Sequence, residues 1–207
     1  MLFHVTTGNS LTVSPVIFGT AGLTKADGGT LTLTAQNTYT GTTAIDGGIL
    51  RLGNALNTIF AGYSLPPTAG SETSTNGNNN GLVINFGGTL DLNGSNQTVG
   101  ALSSLGTLPY SGGSVINNNG TAGTLRAAFT ANATWAGNIG GTSAGTRNVN
   151  FQRDGTSTFT LVSANQLTGT VTLAENCEFD IGLTIGSKGS LTTTGTGTSS
   201  FTTSASN

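Results

Sequence analysis

The chain has 207 residues, of which 33 are Gly and 39 Thr; only 7% are charged, against about 25% in an ordinary soluble domain. Six bases against eight acids exclude electrostatic nucleic-acid binding and a polybasic membrane anchor. No apolar run approaches the roughly 20 residues of a membrane-spanning helix, and the wealth of Thr, Gly, Asn and Ser excludes a helical protein. What remains is dominated by Thr, Val, Ile and Phe, which is the composition of strands.

In chain order, Met1-Leu-Phe-His-Val-Thr-Thr7 has neither a basic stretch nor a continuous apolar one, so it does not read as a secretory signal. The single histidine, His4, stands in no Ser/His/Asp arrangement legible along the chain. Residues 29–43, Gly-Thr-Leu-Thr-Leu-Thr-Ala-Gln-Asn-Thr-Tyr-Thr-Gly-Thr-Thr, alternate apolar residues with Thr. Side chains alternate along a strand, so Leu31 and Leu33 are expected inside, with Thr30 and Thr32 exposed. The glycine pairs Gly28-Gly29, Gly47-Gly48 and Gly87-Gly88 precede strands and are expected to form corners.

Shifted by 59 residues the pattern returns without a gap, placing Leu90 and Leu92 inside; shifted by 128 it returns again, placing Phe159 and Leu161 inside and Thr160 outside. The copies thus lie near 29–54, 88–102 and 157–173, with a fainter one at 132–139. Asn37, Asn96 and Asn165 share the inward parity, and are expected to stack as an amide ladder that satisfies backbone groups at a turn. Between 57 and 81 the repeat breaks. Phe60, Tyr63, Leu65, Pro66 and Pro67 make that insertion a candidate contact loop, because insertions in repeat folds map to loops.

Such units cannot each close a core, but stacking them buries one continuous apolar column. The chain is expected to be a single all-β domain, 1–207, folded as a β-solenoid of the right-handed parallel β-helix type. About 20–33 residues per rung implies roughly six to ten rungs. A Greek-key sandwich is the alternative, and it leaves the gap-free repeats unexplained.

Chemical motifs are thin. The acids Asp27, Asp46, Glu72, Asp91, Asp154, Glu175, Glu178 and Asp180 occupy no common repeat position, so no paired carboxylates are assigned to catalysis. No catalytic residue, metal ligand or cofactor is expected. The lone Cys177 permits no internal disulfide and reads as a small inward hydrophobe.

Residues 29–54, running on through Ala-Ile-Asp-Gly-Gly-Ile-Leu-Arg-Leu-Gly-Asn, resemble the autotransporter-associated β-strand repeat of bacterial surface proteins. The Leu-Asn-Gly-Ser-Asn-Gln-Thr-Val-Gly-Ala-Leu stretch at 92–102 is similar to the segment that follows such repeats. The resemblance implies a secreted or cell-surface β-helix of structural type, without catalytic residues to carry over.

The expected function is therefore that of a non-enzymatic extracellular subunit assembling head to tail into a filament. Its partners would be further copies of itself, then surface glycans or other cells, with no nucleic acid and no membrane insertion. A passenger stalk segment of a longer adhesin and a polysaccharide-active β-helix enzyme are the alternatives. The tail at 189–207 is β-prone and polar apart from Leu191 and Phe201, and is expected to pair with a neighbouring subunit.

Overall fold

The computed structural model describes residues 1–56, 58–59, 81–128, 132–140, 144–146, 148–154 and 158–163, and beyond these the strands at 170–173, 178–181, 190–193 and 200–203. Phe60, Tyr63, Leu65, Pro66, Pro67, Asn165 and Cys177 lie outside the described residues.

The fold is a stack of parallel rungs. The first rung carries β1 (Leu2–His4) and β2 (Ser10–Val13); the second, β3 (Leu23–Ala26) and β4 (Thr30–Leu33); the third, β5 (Thr43–Ile45) and β6 (Gly48–Leu52). From there a third strand joins each turn: β7 (Gly81–Ile84), β8 (Gly88–Asp91) and β9 (Asn96–Val99), then β10 (Ala101–Ser103), β11 (Ser114–Ile116) and β12 (Gly123–Ala128). Next come β13 (Ala133–Trp135), β14 (Asn138–Ile139), a short 3₁₀ turn at Ala144–Thr146 and β15 (Val149–Asp154). The chain continues through β16 (Thr158–Leu161), β17 (Thr170–Leu173), β18 (Glu178–Ile181), β19 (Ser190–Thr193) and β20 (Ser200–Thr203).

Like strands stack into sheets ordered β1-β3-β5-β7-β10, β14-β11-β8-β6-β4-β2, β19-β17-β15-β12-β9 and β13-β16-β18-β20. Every ladder between these strands is parallel. That is a parallel β-helix. In the first three rungs the third side is irregular, yet it is already laddered: Thr38 and Thr40 donate their N–H to the carbonyls of Ile17 and Gly19, both at 2.9 Å.

The core is a set of columns. In the second sheet Leu11, Leu31, Leu50, Leu90, Val115 and Ile139 stand in one register line. Leu31, Leu33, Leu50, Leu52, Leu90 and Leu92 are fully buried, as are Phe159 and, at 1% exposure, Leu161. Thr30, Thr32 and Thr160, expected to be exposed, are half-buried, because residues of the adjoining rungs flank each of them at one strand spacing.

Unequal rungs upset two features of the repeat. Leu31 and Leu90 do share a column, with Leu50 between them. Phe159 does not join it: β16 pairs with β13 and β18, in a different sheet from β4 and β8. The copy at 132–139 likewise bends around a corner, dividing between β13 and β14. A short alternating pattern suits any side of the helix, so a constant shift does not keep to one side when rung length varies.

The insertion is skipped by the ladder. Gly48 pairs with Gly88, and Thr43 with Leu82, directly across it. Its bounds are narrower than 57–81, since Thr58 and Ile59 are buried and Gly81 already opens β7. In the tail, Leu191 in β19 pairs with Val171, and Phe201 in β20 with Phe179, so both strands extend this chain's own ladder and stand at the ends of their sheets.

Candidate functional surface

The corner between the first and second sheets is built by backbone that only special residues adopt. Asp27 (φ 64°), Gly48 (φ 64°) and Gly87 (φ 84°) take left-handed conformations on successive rungs. A side chain at Gly48 would run into the carbonyls of Asp27 and Gly29 in the rung below, so glycine there is required by space as well as by φ.

Lys25 points into this corner. It alternates with Thr24 and Ala26 as a core residue would, and is fully buried. Its ammonium donates to the carbonyls of Ala26 (2.7 Å), Asp27 (2.8 Å) and Gly47 (3.1 Å), closing the end of the core across two rungs. Burial pushes its pKa below the ordinary lysine value, opposed by the negative charge of Asp27. On the outside, His4 Nδ1 lies 3.0 Å from Asp27 Oδ2. The register, with His4 opposite Ala26, creates that pair, which separation along the chain concealed.

At the next corner Asp91 is fully buried and held by four donors. Arg51 Nε lies 2.9 Å from Oδ2; the backbone N–H groups of Asn93 (3.1 Å) and Asn118 (3.0 Å) reach Oδ1, and Asn118 Nδ2 adds a bond to Oδ2 at 3.2 Å. Asp46, exposed at the first corner like Asp27, accepts from Asn85 Nδ2 at 2.6 Å. Asp27, Asp46 and Asp91 are therefore each engaged in holding a corner. Among the described residues no group of three or more His, Cys, Asp or Glu is placed to hold a metal.

The amide ladder is partly corrected. Asn37 is buried; its Oδ1 accepts the Ile17 N–H at 2.8 Å and its Nδ2 donates to Thr58 (2.7 Å) and Ala35 (3.1 Å). Asn96, expected inward, is half-buried instead, and its neighbour Gln97 takes the inner position. Gln97 Oε1 accepts the Ile59 N–H at 3.0 Å, and its Nε2 donates to the carbonyls of Ile59 and Thr98. The reason is the left-handed turn at Asn93 (φ 49°) and Gly94 (φ 80°), which reverses the parity between Leu92 and β9. Asn117, also buried, has the same role in the next rung, accepting the Gly94 N–H at 2.7 Å. The signal for Gln97 and Asn117 was present as amides next to Gly-containing turns.

Among the described residues three of the four Lys and Arg side chains are buried. Arg126 and Arg153 are buried like Lys25, and Arg51 is committed to Asp91. What the outside offers instead is apolar: Phe86, Leu105, Leu108 and Tyr110 on the corner between the first two sheets, and Met1, Leu2, Leu11, Val16 and Phe18 on the first rung.

Residues 23–52, the two rungs from β3 to β6, match the family model of the passenger-associated-transport-repeat. Over an alignment of 86 positions, which covers 38% of this chain, it is 40% identical to the adhesin BmaC autotransporter of Brucella suis biovar 1 (strain 1330), and the match spans 2% of that protein. No solved structure matches the chain. The chain carries an autotransporter-associated repeat, and the resemblance of residues 29–54 is to that family.

Proposed function

We propose that this chain is a stretch of the β-helical stalk of a bacterial surface adhesin, exported as a passenger and without enzymatic activity. The observation that carries this reading is that the matched repeat, 23–52, coincides with β3–β6, the paired strands of two successive rungs, whose columns continue into the rungs on either side. A unit that adds rungs without ending the core suits a protein whose task is length. Cell-surface glycans or other cells are the contacts such a stalk would serve. Antibodies raised against residues 81–128 should stain intact producing cells, and brief external protease should remove the signal. Labelling confined to permeabilised cells would overturn the reading.

A second reading is head-to-tail assembly into a filament, favoured by the stacking itself: the rungs pair parallel and in register, which is the contact that a rung of another copy would make. Electron microscopy of the purified chain should show rods that lengthen with concentration, and short uniform particles would exclude this assembly.

A further inference from the structure

We propose that Asn119 is a site of spontaneous covalent modification: the Gly120 nitrogen closes onto the Asn119 side chain, and the amide is exchanged for an aspartyl or isoaspartyl carboxylate. The same dipeptide one rung earlier, Asn93-Gly94, is protected from this reaction by the stack. The inference concerns one turn and stands apart from both readings of the whole chain.

The two dipeptides occupy equivalent turns. Asn93-Gly94 lies between β8 and β9, and Asn119-Gly120 between β11 and β12, which pair with those strands. Each dipeptide is followed by a hydroxyl residue, Ser95 or Thr121, so the local sequence treats them alike. Glycine leaves the attacking nitrogen without a side chain beside it.

The stack separates them. The Gly94 N–H donates to Asn117 Oδ1 at 2.7 Å. Asn117 is buried, and its Nδ2 is fixed by the carbonyls of Asn119 (3.2 Å), Thr121 (2.8 Å) and Asn148 (2.9 Å). Asn93 Nδ2 is tied to the Leu52 carbonyl at 3.0 Å. The Gly94 nitrogen can attack only after this part of the rung opens. In the later turn Asn119, Gly120 and Thr121 are all exposed. Among the described residues the Gly120 N–H meets no acceptor.

Asn119 is also set for ring closure. Its Oδ1 accepts the Thr121 N–H at 2.9 Å, which folds the side chain over the peptide that follows it. That N–H points at the oxygen on which negative charge gathers as nitrogen adds to Cγ. The leaving nitrogen, Nδ2, has an exposed bond of 3.3 Å to the Asn93 carbonyl.

In the reaction the Gly120 nitrogen gives its proton to solvent and bonds to Cγ. The Cγ–Nδ2 bond breaks, and Nδ2 takes up a proton and leaves as ammonia. Water then opens the cyclic imide. Opening at Cγ yields aspartate; opening at the main-chain carbonyl yields isoaspartate, with an extra methylene in the backbone. Either product sets a carboxylate against the Asn93 carbonyl, beside Asn118, whose N–H and Nδ2 hold Asp91.

The folded chain, kept in mildly alkaline buffer and mapped by mass spectrometry with electron-transfer fragmentation, reads the exchange at each asparagine. Asn119 should be exchanged at least about tenfold faster than Asn93, the ratio that an opening of about 1.4 kcal/mol imposes. In urea the two rates should converge, because only the shared dipeptide remains. A Cβ at Gly120 meets open space, and its φ lies outside the left-handed region, so Gly120→Ala keeps the fold. Its methyl hinders the attacking nitrogen, and should slow exchange at Asn119 at least about tenfold while leaving Asn93 unchanged. The proposal is overturned if Asn93 keeps pace with Asn119 in the folded chain, or if their disparity persists in urea. It is equally overturned if Asn119 stays intact over a period in which the urea-unfolded chain is modified. Exchange at Asn119 that is indifferent to Gly120→Ala would assign the loss of ammonia to direct hydrolysis, and would also overturn it.

Discussion

Arg51 Nε and Asp91 Oδ2 meet at 2.9 Å across adjacent rungs, though 40 residues separate them in the chain. The pair is asymmetric: the Arg51 side chain is 37% exposed and that of Asp91 not at all. Removing the carboxylate leaves a guanidinium that water can reach, whereas removing the guanidinium strands a buried charge. Arg51→Met, which keeps the aliphatic stem, should therefore cost about 2–4 kcal/mol, read from the urea midpoint. An unchanged midpoint would mean that the three remaining donors suffice for Asp91.

The column through the second sheet sets the scale of core mutations. Leu50→Ala and Leu92→Ala should each cost about 2–5 kcal/mol, because the rungs above and below prevent the gap from closing. Thr32→Ala, on the opposite face of β4, should change stability by about 0.5 kcal/mol or less. Equal costs at Thr32 and Leu50 would contradict the inward register.

Alkali should act through Tyr39. Its ring is buried, and burial pushes the phenol well above its ordinary pKa, only partly opposed by the hydrogen bond to Thr43 at 2.6 Å. The unfolded phenol loses its proton from about pH 10, while the folded one keeps it. The folded state then binds more protons, so stability is complete below about pH 10 and falls above it, by up to about 1.4 kcal/mol per pH unit from this group. Tyr39→Phe should flatten that decline, measured as urea midpoints across the alkaline range. A slope unchanged by the substitution would assign the loss to other groups.

The inner amides separate cleanly from their neighbours. Gln97→Leu keeps the volume but leaves the N–H and carbonyl of Ile59 without the partner that Gln97 provides, and should cost about 2–4 kcal/mol. Asn96→Ala, half-buried and bonded to the Ala55 carbonyl through its backbone, should cost under about 1 kcal/mol. Amide hydrogen exchange at Ile59 should accelerate in the first variant only. The reverse order would restore Asn96 to the inner position.

Composition and alternation by themselves determined the class of the fold and the inner faces of its strands. Leu31 and Leu33, like Leu90 and Leu92, could be assigned because the two-residue period is set by the strand itself, whatever lies around it. The repeat at 29–54 was legible for the same reason, its strands β4, β5 and β6 following one another before the insertion begins. Which side of the helix a copy occupies depends on how many residues each corner consumes, and that placed Phe159 away from Leu31 and exchanged Asn96 for Gln97. The meetings of Arg51 with Asp91, His4 with Asp27, and Lys25 with the Gly47 carbonyl were decided by stacking alone. Each joins residues from different rungs, and the distance between rungs is one strand spacing in space however long the chain between them.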